Sequence, residues 1–122
     1  MNVHPCALIV EDEPFVALDL EDAMKEIGFY VCGVAATQDR AYALATSEQP
    51  DVVLMDVCLQ GGQEGIEAAR CLREACRAEV VFVTGHTDQA TLDRIHEEVP
   101  GAPVLAKPVS HTRLAEVVAA LI

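Results

Sequence analysis

Cations are scarce in this chain: eight lysines and arginines stand against twenty aspartates and glutamates, a formal net charge of -12. Nucleic-acid phosphates are bound by clustered Lys and Arg, so a large nucleic-acid footprint is excluded on charge. Long apolar runs are missing too. Charge interrupts every apolar segment well short of the roughly 20 residues of a membrane span. The opening Met1-Asn2-Val3-His4-Pro5 has neither the basic region nor the apolar stretch of a secretory leader. A soluble cytoplasmic protein without membrane or nucleic-acid partners is expected. The five cysteines, Cys6, Cys32, Cys58, Cys71 and Cys76, contain no CxxC pair and no histidine at finger spacing, which argues against a disulfide framework and against structural zinc. Cys6 and Cys32 read instead as small core residues on strands. Repeats, low-complexity stretches and linkers are also absent. With 122 residues, 52% of them hydrophobic, the chain is long enough for one packed core, and a single domain over residues 1-122 is expected.

What the sequence does contain is an alternation of short apolar runs and helical patterns, five times over. The first strand is Cys6-Ala7-Leu8-Ile9-Val10. A helix follows from about Pro14, with Val16, Leu20, Ala23, Met24 and Ile27 on one face, and Gly28 ends it. A second strand, Tyr30 to Ala35, leads to an Ala-rich helix from about Thr37 to Ser47. The third strand is Asp51-Val52-Val53-Leu54-Met55, just after Pro50. Gly61-Gly62 opens a loop into a helix carrying Ile66, Ala69 and Leu72. Val80-Val81-Phe82-Val83 is a fourth strand ending at Thr84. A helix from about Asp88 to Glu98 should turn Leu92, Ile95 and Val99 inward. Pro103 to Ala106 is a short fifth strand closing on Lys107-Pro108, and Ser110 caps a last helix with Leu114, Val117, Val118 and Leu121 buried. No output module is expected to be attached after this helix.

Strands alternating with helices imply a parallel sheet covered on both faces, because parallel neighbours need a right-handed helical crossover. The uninterrupted apolar strands require that double cover. The expected class is α/β, a doubly wound, flavodoxin-like (βα)5 sheet of order 2-1-3-4-5. In such sheets a site forms at the carboxyl ends of the strands, between the first and third. The polar residues follow that rule. Glu11, Asp12 and Glu13 follow strand one, Asp56 ends strand three, Thr84 ends strand four and Lys107 ends strand five, whereas strand two, predicted at the edge, ends without an acid.

Glu11, Asp12 and Asp56 brought together would repel one another unless a cation sat among them. Mg2+ suits such a site: it takes oxygen ligands at about 2.0 to 2.1 Å and usually keeps several waters. Lys107 adds a second positive charge on a flexible stem. Asp56 is then the candidate nucleophile, since an aspartyl carboxylate can form an acyl-phosphate and the cations neutralise the developing charge. Thr84 can donate its hydroxyl to the transferred group, and Gly85 has no side chain to obstruct it, although a plain turn explains Gly85 equally well. Taken singly, each residue has a bland explanation as a helix-end charge, a turn or a cap. Four strand ends bearing complementary groups are poorly explained by chance.

At this point the sequence resembles the response-regulator receiver domains of two-component signalling, over essentially its whole length. The matching motifs are Val10-Glu11-Asp12-Glu13, Leu54-Met55-Asp56-Val57, Val83-Thr84-Gly85 and Lys107-Pro108. The resemblance implies that Asp56 is phosphorylated by a histidine kinase or histidine phosphotransferase. It implies too that Glu11 and Asp12 form an acidic pair, that the Cys58 backbone carbonyl joins them on Mg2+, and that the protein is a signalling switch or phosphate shuttle rather than an enzyme. Phe82-Val83-Thr84-Gly85-His86 is similar to a subclass with a Phe-Ala-Thr-Gly signature, often found as stand-alone receivers in alphaproteobacteria, with Val83 in place of alanine. In receivers, side chains two positions beyond the phosphorylated Asp and beyond the Thr, here Cys58 and His86, flank the path of the hydrolysing water and set the lifetime of the phosphorylated state. As a lone residue, His86 is a surface imidazole.

Three departures stand out. Gln60 replaces the usual proline after Leu59, Gly61-Gly62 lengthens the loop before Gly65 by one residue, and Val104 stands where many receivers carry a switching Tyr or Phe. Phosphorylation adds roughly -1.5 to -2 charge, and the face formed by the fourth helix, fifth strand and fifth helix is expected to respond and to meet a target protein. Two alternatives differ in kind. A phosphatase of the haloacid-dehalogenase type would need a second acid two residues after the nucleophile, where this chain has Cys58, and more length for a cap. A receiver-shaped binding module that is never phosphorylated would not need the complete set of site residues.

Overall fold

The computed structural model describes residues 4-59, 62 and 64-122. Ten elements alternate: β1 (Cys6–Val10), α1 (Pro14–Ile27), β2 (Tyr30–Ala35), α2 (Gln38–Glu48), β3 (Val52–Asp56), α3 (Glu64–Cys76), β4 (Glu79–Thr84), α4 (Gln89–Glu98), β5 (Val104–Ala106) and α5 (His111–Leu121). Among the described residues the four strand pairs of the sheet are parallel, and the order is β2-β1-β3-β4-β5, as the alternation predicts. No helix among the described residues is long and apolar enough to cross a membrane.

The period-two alternation of the strands sorts the core into two layers. Leu8, Val10, Val53, Met55, Val80 and Phe82 meet α2, α3 and α4 on one face of the sheet. Ala7, Ile9, Val52, Leu54, Val81 and Val83 meet α1 and α5 on the other. Gly28 takes a left-handed conformation, φ 109°, as the C-cap of α1, where a residue with a Cβ is strained. Thr37, Asp88 and Ser110 cap α2, α4 and α5 by accepting from the backbone N–H three residues on.

Several expectations need correcting. Strand β3 starts one residue later than expected, at Val52 rather than Asp51, and Asp56 ends it as expected. Asp51 stands before the strand, and its carboxylate accepts from the Cys6 N–H at 2.7 Å, a side-chain bond that no periodicity reveals. In α4 and at its C-cap, Ile95 and Val99 are buried as expected, but Thr91 rather than Leu92 joins them, and Leu92 is only half-buried. Thr91 can turn inward because the Asp88 carboxylate takes its hydroxyl at 2.9 Å, so no buried donor goes unpaired. Val16, Ile27 and Leu121 flank the core rather than lying within it, and Ala17 is buried in their place. Cys6 and Cys32 do lie on strands, but both are half-exposed. Gln60 and Gly61, on which the loop-length expectation rests, lie outside the described residues; Gly62 N–H donates to the Leu59 carbonyl at 3.1 Å.

One ion-pair cluster ties α5 to α1. His111 places Nε2 3.0 Å from Asp19 and Nδ1 3.4 Å from Glu26, an arrangement that uses both ring N–H groups and so suits the imidazolium. Hydrogen bonding to Asp19 and then to Glu26 raises its pKa above the usual 6.5. A raised folded-state pKa means that this stabilisation is fully present below about pH 6.5 and is lost as pH rises through the folded value. The thermal midpoint of the protein is therefore expected to fall over that window relative to His111→Gln. Parallel pH dependences for the two proteins would remove the latch.

Candidate functional site

Four strand ends deliver the predicted residues to one place. Glu11 follows β1 directly, and its N–H donates to the Ala35 carbonyl at 2.9 Å, which fixes where the chain leaves the sheet. Its side chain is buried, and Oε2 accepts from the Glu13 N–H at 3.1 Å. Oε1 is shut off from solvent and is held by the Lys107 ammonium at 2.7 Å. Asp56 is 5% exposed; its Oδ1 accepts from the Cys58 N–H at 3.2 Å and its Oδ2 lies 3.4 Å from Lys107 Nζ. The Thr84 side chain is buried at the end of β4, and its hydroxyl oxygen accepts from the His86 N–H at 2.9 Å. Lys107 is held by the sheet itself, its N–H donating to the Thr84 carbonyl at 2.9 Å. The peptide bond from Lys107 to Pro108 is cis.

Carboxylate oxygens of Glu11, Asp12 and Asp56 all lie within 4.8 Å of one another. Asp12 is exposed beside its two buried neighbours. Burial pushes the Glu11 carboxyl above its usual range, and the nearby Asp56 charge adds to the shift, against the pull of Lys107. Burial opposes the charge on Lys107, but Glu11 and Asp56 outweigh it and raise its pKa. One ammonium thus faces three carboxylates, with Glu13 Oε1 a further 3.9 Å contact. That excess of negative charge fits a hard divalent cation with oxygen ligands.

Cys58 is half-buried beside the cluster, and burial followed by the Asp56 charge pushes its thiol pKa up. His86 is exposed, as is Gly85. A Cβ added at Gly85 would meet nothing within 4 Å, so space within the fold does not demand glycine there. Val104 pairs with Phe82 and packs partly buried against the α2/α3/α4 layer.

Glu13, named with Glu11 and Asp12 after strand one, reaches Lys107 from the start of α1 at 3.9 Å. Sequence reasoning missed one contributor. Gly65 lets the first turn of α3 sit on the end of β3: its N–H donates to the Val57 carbonyl at 3.0 Å. A methyl there would run into the Asp56 carbonyl and stand 2.7 Å from that of Val57. Its place just past a glycine-bearing loop was the available signal.

The family model for the response regulator receiver domain matches residues 7–119. The chain belongs to the response-regulator receiver family. Among curated relatives, the receiver is 32% identical over 112 residues to the phyllosphere-induced regulator PhyR of Methylorubrum extorquens, covering 91% of this chain and 41% of that protein. It is 36% identical over 120 residues to the positive alginate biosynthesis regulatory protein of Pseudomonas aeruginosa, covering 95% and 45%. The receiver thus spans less than half the length of these two relatives. In structure it is similar to the signal receiver domain of a modulated diguanylate cyclase from Desulfovibrio desulfuricans, with a TM-score of 0.88, 32% identity, and 98% and 94% of the two chains covered. It is also similar to the PhyR receiver domain of Erythrobacter litoralis, with a TM-score of 0.84, 25% identity, and 97% and 89% covered.

Proposed function

We propose that residues 1-122 act as one receiver domain whose Asp56 accepts a phosphoryl group from the phosphohistidine of a histidine kinase or histidine phosphotransferase. The observation that carries this reading is the meeting of three carboxylates and Lys107 at the ends of β1, β3 and β5, with buried Thr84 ending the intervening β4. An Asp56 carboxylate oxygen attacks phosphorus, the bond from phosphorus to the donor nitrogen breaks, and the imidazole leaves and takes up a proton. Glu11, Asp12, Asp56 and the Cys58 carbonyl would hold Mg2+. The ion supplies positive charge against the charge developing on the transferred oxygens. Lys107 supplies the same from an ammonium already 3.4 Å from Asp56 Oδ2. Thr84 turns its hydroxyl toward the new acceptor once phosphoryl oxygens arrive.

Incubation with a small phosphodonor and Mg2+ followed by intact mass measurement tests this. One added phosphate on the parent and none on Asp56→Ala is the expected result; equal labelling of both overturns it. Decay of that mass after donor removal should change in Cys58→Ala and His86→Ala, because these side chains border the path of the attacking water. Unchanged decay in both would separate them from the lifetime.

Output is assigned to the α4-β5-α5 face. Thr84 and Lys107 sit at the roots of β4 and β5, and drawing them inward shifts the loops they carry. Hydrogen exchange with and without a non-hydrolysing acyl-phosphate mimic should differ on that face; identical protection there would move the output elsewhere. The sequence signature around Phe82 to His86 favours a stand-alone cytoplasmic switch or phosphate shuttle.

A further inference from the structure

Far from the acidic cluster, at the opposite end of β1, two cysteines that stand 26 positions apart in the sequence meet. Cys6 opens β1. Cys32 lies at an irregularity in the pairing of β1 with β2: Ala7 pairs with Val31 and Leu8 with Gly33, so Cys32 is the extra residue of a bulge. A bulge turns its extra side chain and shortens the advance along the strand, which brings Cys32 back toward Cys6 across the strand pair. After burial, each thiol is the group that acts most strongly on the other, as neighbours across this strand pair must. Both side chains are half-exposed, and Cys32 also packs against the α2/α3/α4 layer. Cys58 and Cys76 have no thiol among the groups acting on them.

We propose that Cys6 and Cys32 form a cross-strand dithiol that a small-molecule disulfide, such as oxidised glutathione, converts into a disulfide bond joining β1 to β2. In the first step the Cys6 sulfur, having released its proton to water, attacks the small disulfide; a sulfur–sulfur bond forms and one glutathione thiolate leaves and takes up a proton. In the second, the Cys32 sulfur attacks the mixed disulfide at Cys6 and expels the second glutathione. Two protein thiols are oxidised and one glutathione disulfide is reduced to two thiols.

The order of attack follows from the contacts. Burial raises both thiols, but the neighbouring Cys32 offsets part of the shift on Cys6, whereas burial, followed by the neighbouring Cys6, pushes Cys32 up to about 12. Cys6 is therefore the better nucleophile and Cys32 the resolving thiol. Both remain protonated at neutral pH, so the exchange is slow, and its equilibrium position is the quantity to read. The bond would fasten edge strand β2 to the centre of the sheet and close a loop containing the whole of α1. The thermal midpoint should rise on oxidation for that reason.

The test is independent of phosphorylation. The full chain is equilibrated with oxidised glutathione, remaining thiols are alkylated, and peptides are mapped by mass spectrometry. A Cys6–Cys32 linked peptide that disappears on reduction, with a raised thermal midpoint, is expected. Recovery of both cysteines alkylated, or both as separate glutathione adducts, overturns the proposal. Cys32→Ser should keep a glutathione adduct on Cys6, and Cys6→Ser should leave Cys32 largely unmodified; the reverse pattern overturns the assigned order. Glutathione titration of Asp56→Ala should match the parent, which keeps this outcome separate from that of the phosphoacceptor reading.

Discussion

Alanine at Gly65 is expected to lower the stability of the receiver by roughly 3 kcal/mol. Helix propensity alone predicts the opposite sign, since alanine improves on glycine inside a helix by about 1 kcal/mol. The added methyl would collide with the Asp56 carbonyl and crowd that of Val57 at 2.7 Å. Both obstacles are backbone, at the end of β3, and cannot swing aside as a flexible side chain can. Either α3 lifts from the sheet or the peptide carrying Asp56 moves. Phosphoryl uptake should therefore slow along with the loss of stability. Urea unfolding measures the first effect through its midpoint. Gly85→Ala is the control: a Cβ there meets nothing within 4 Å, and the change should stay within about 0.5 kcal/mol. Gly65→Ala as stable as the parent would mean that α3 is not docked on β3 in this way.

Lys107→Met is expected to act in opposite directions on stability and on metal binding. Lys107 is 17% exposed and its partner Glu11 carboxylate 1%, so the change leaves an essentially buried acid without its cation. Breaking a buried pair from one side costs about 3 to 5 kcal/mol, and protonation of Glu11, whose pKa burial already raises, softens that loss toward the lower figure. The same substitution removes an ammonium that competes with a divalent ion for the Glu11 and Asp56 oxygens. Mg2+ should therefore bind the variant more tightly and raise its thermal midpoint more than it raises that of the parent. Phosphoryl uptake should nonetheless fall by about 100-fold, because a preplaced charge facing the transferred group is gone. Melting curves with and without Mg2+ read the first two effects and phosphodonor kinetics the third. Equal response of both proteins to Mg2+ would show that Lys107 and the metal do not share the same carboxylates.

Much of this molecule is legible in its sequence because two signals agree. The strands are apolar without interruption, as doubly covered parallel strands must be, and each strand that contributes to the site ends on its polar residue or directly before it. Tyr30 to Ala35 is read to the residue, and the edge strand is recognisable by ending without an acid. Periodicity fails where a side chain makes its own bond. Asp88 lets Thr91 turn inward where an apolar pattern favours Leu92, and Asp51 fastens to the Cys6 N–H outside any strand pattern. It fails again where two segments approach: the contact of Gly65 with the end of β3 and the meeting of Cys6 with Cys32 depend on a helix docking and a bulge, neither of which has a periodic signature. The site residues were identifiable by type and place, but the preference of Lys107 for Glu11 over Asp56, 2.7 Å against 3.4 Å, is a matter of geometry alone.

The most direct measurement is to locate the phosphoryl group on the chain. After treatment with phosphodonor and Mg2+, borohydride reduction converts an aspartyl phosphate to homoserine, and peptide sequencing by mass spectrometry finds the altered residue. Homoserine at position 56, and its loss when Mg2+ is withheld, is the predicted result. Homoserine at another carboxylate, or labelling that is indifferent to the metal, would contradict it.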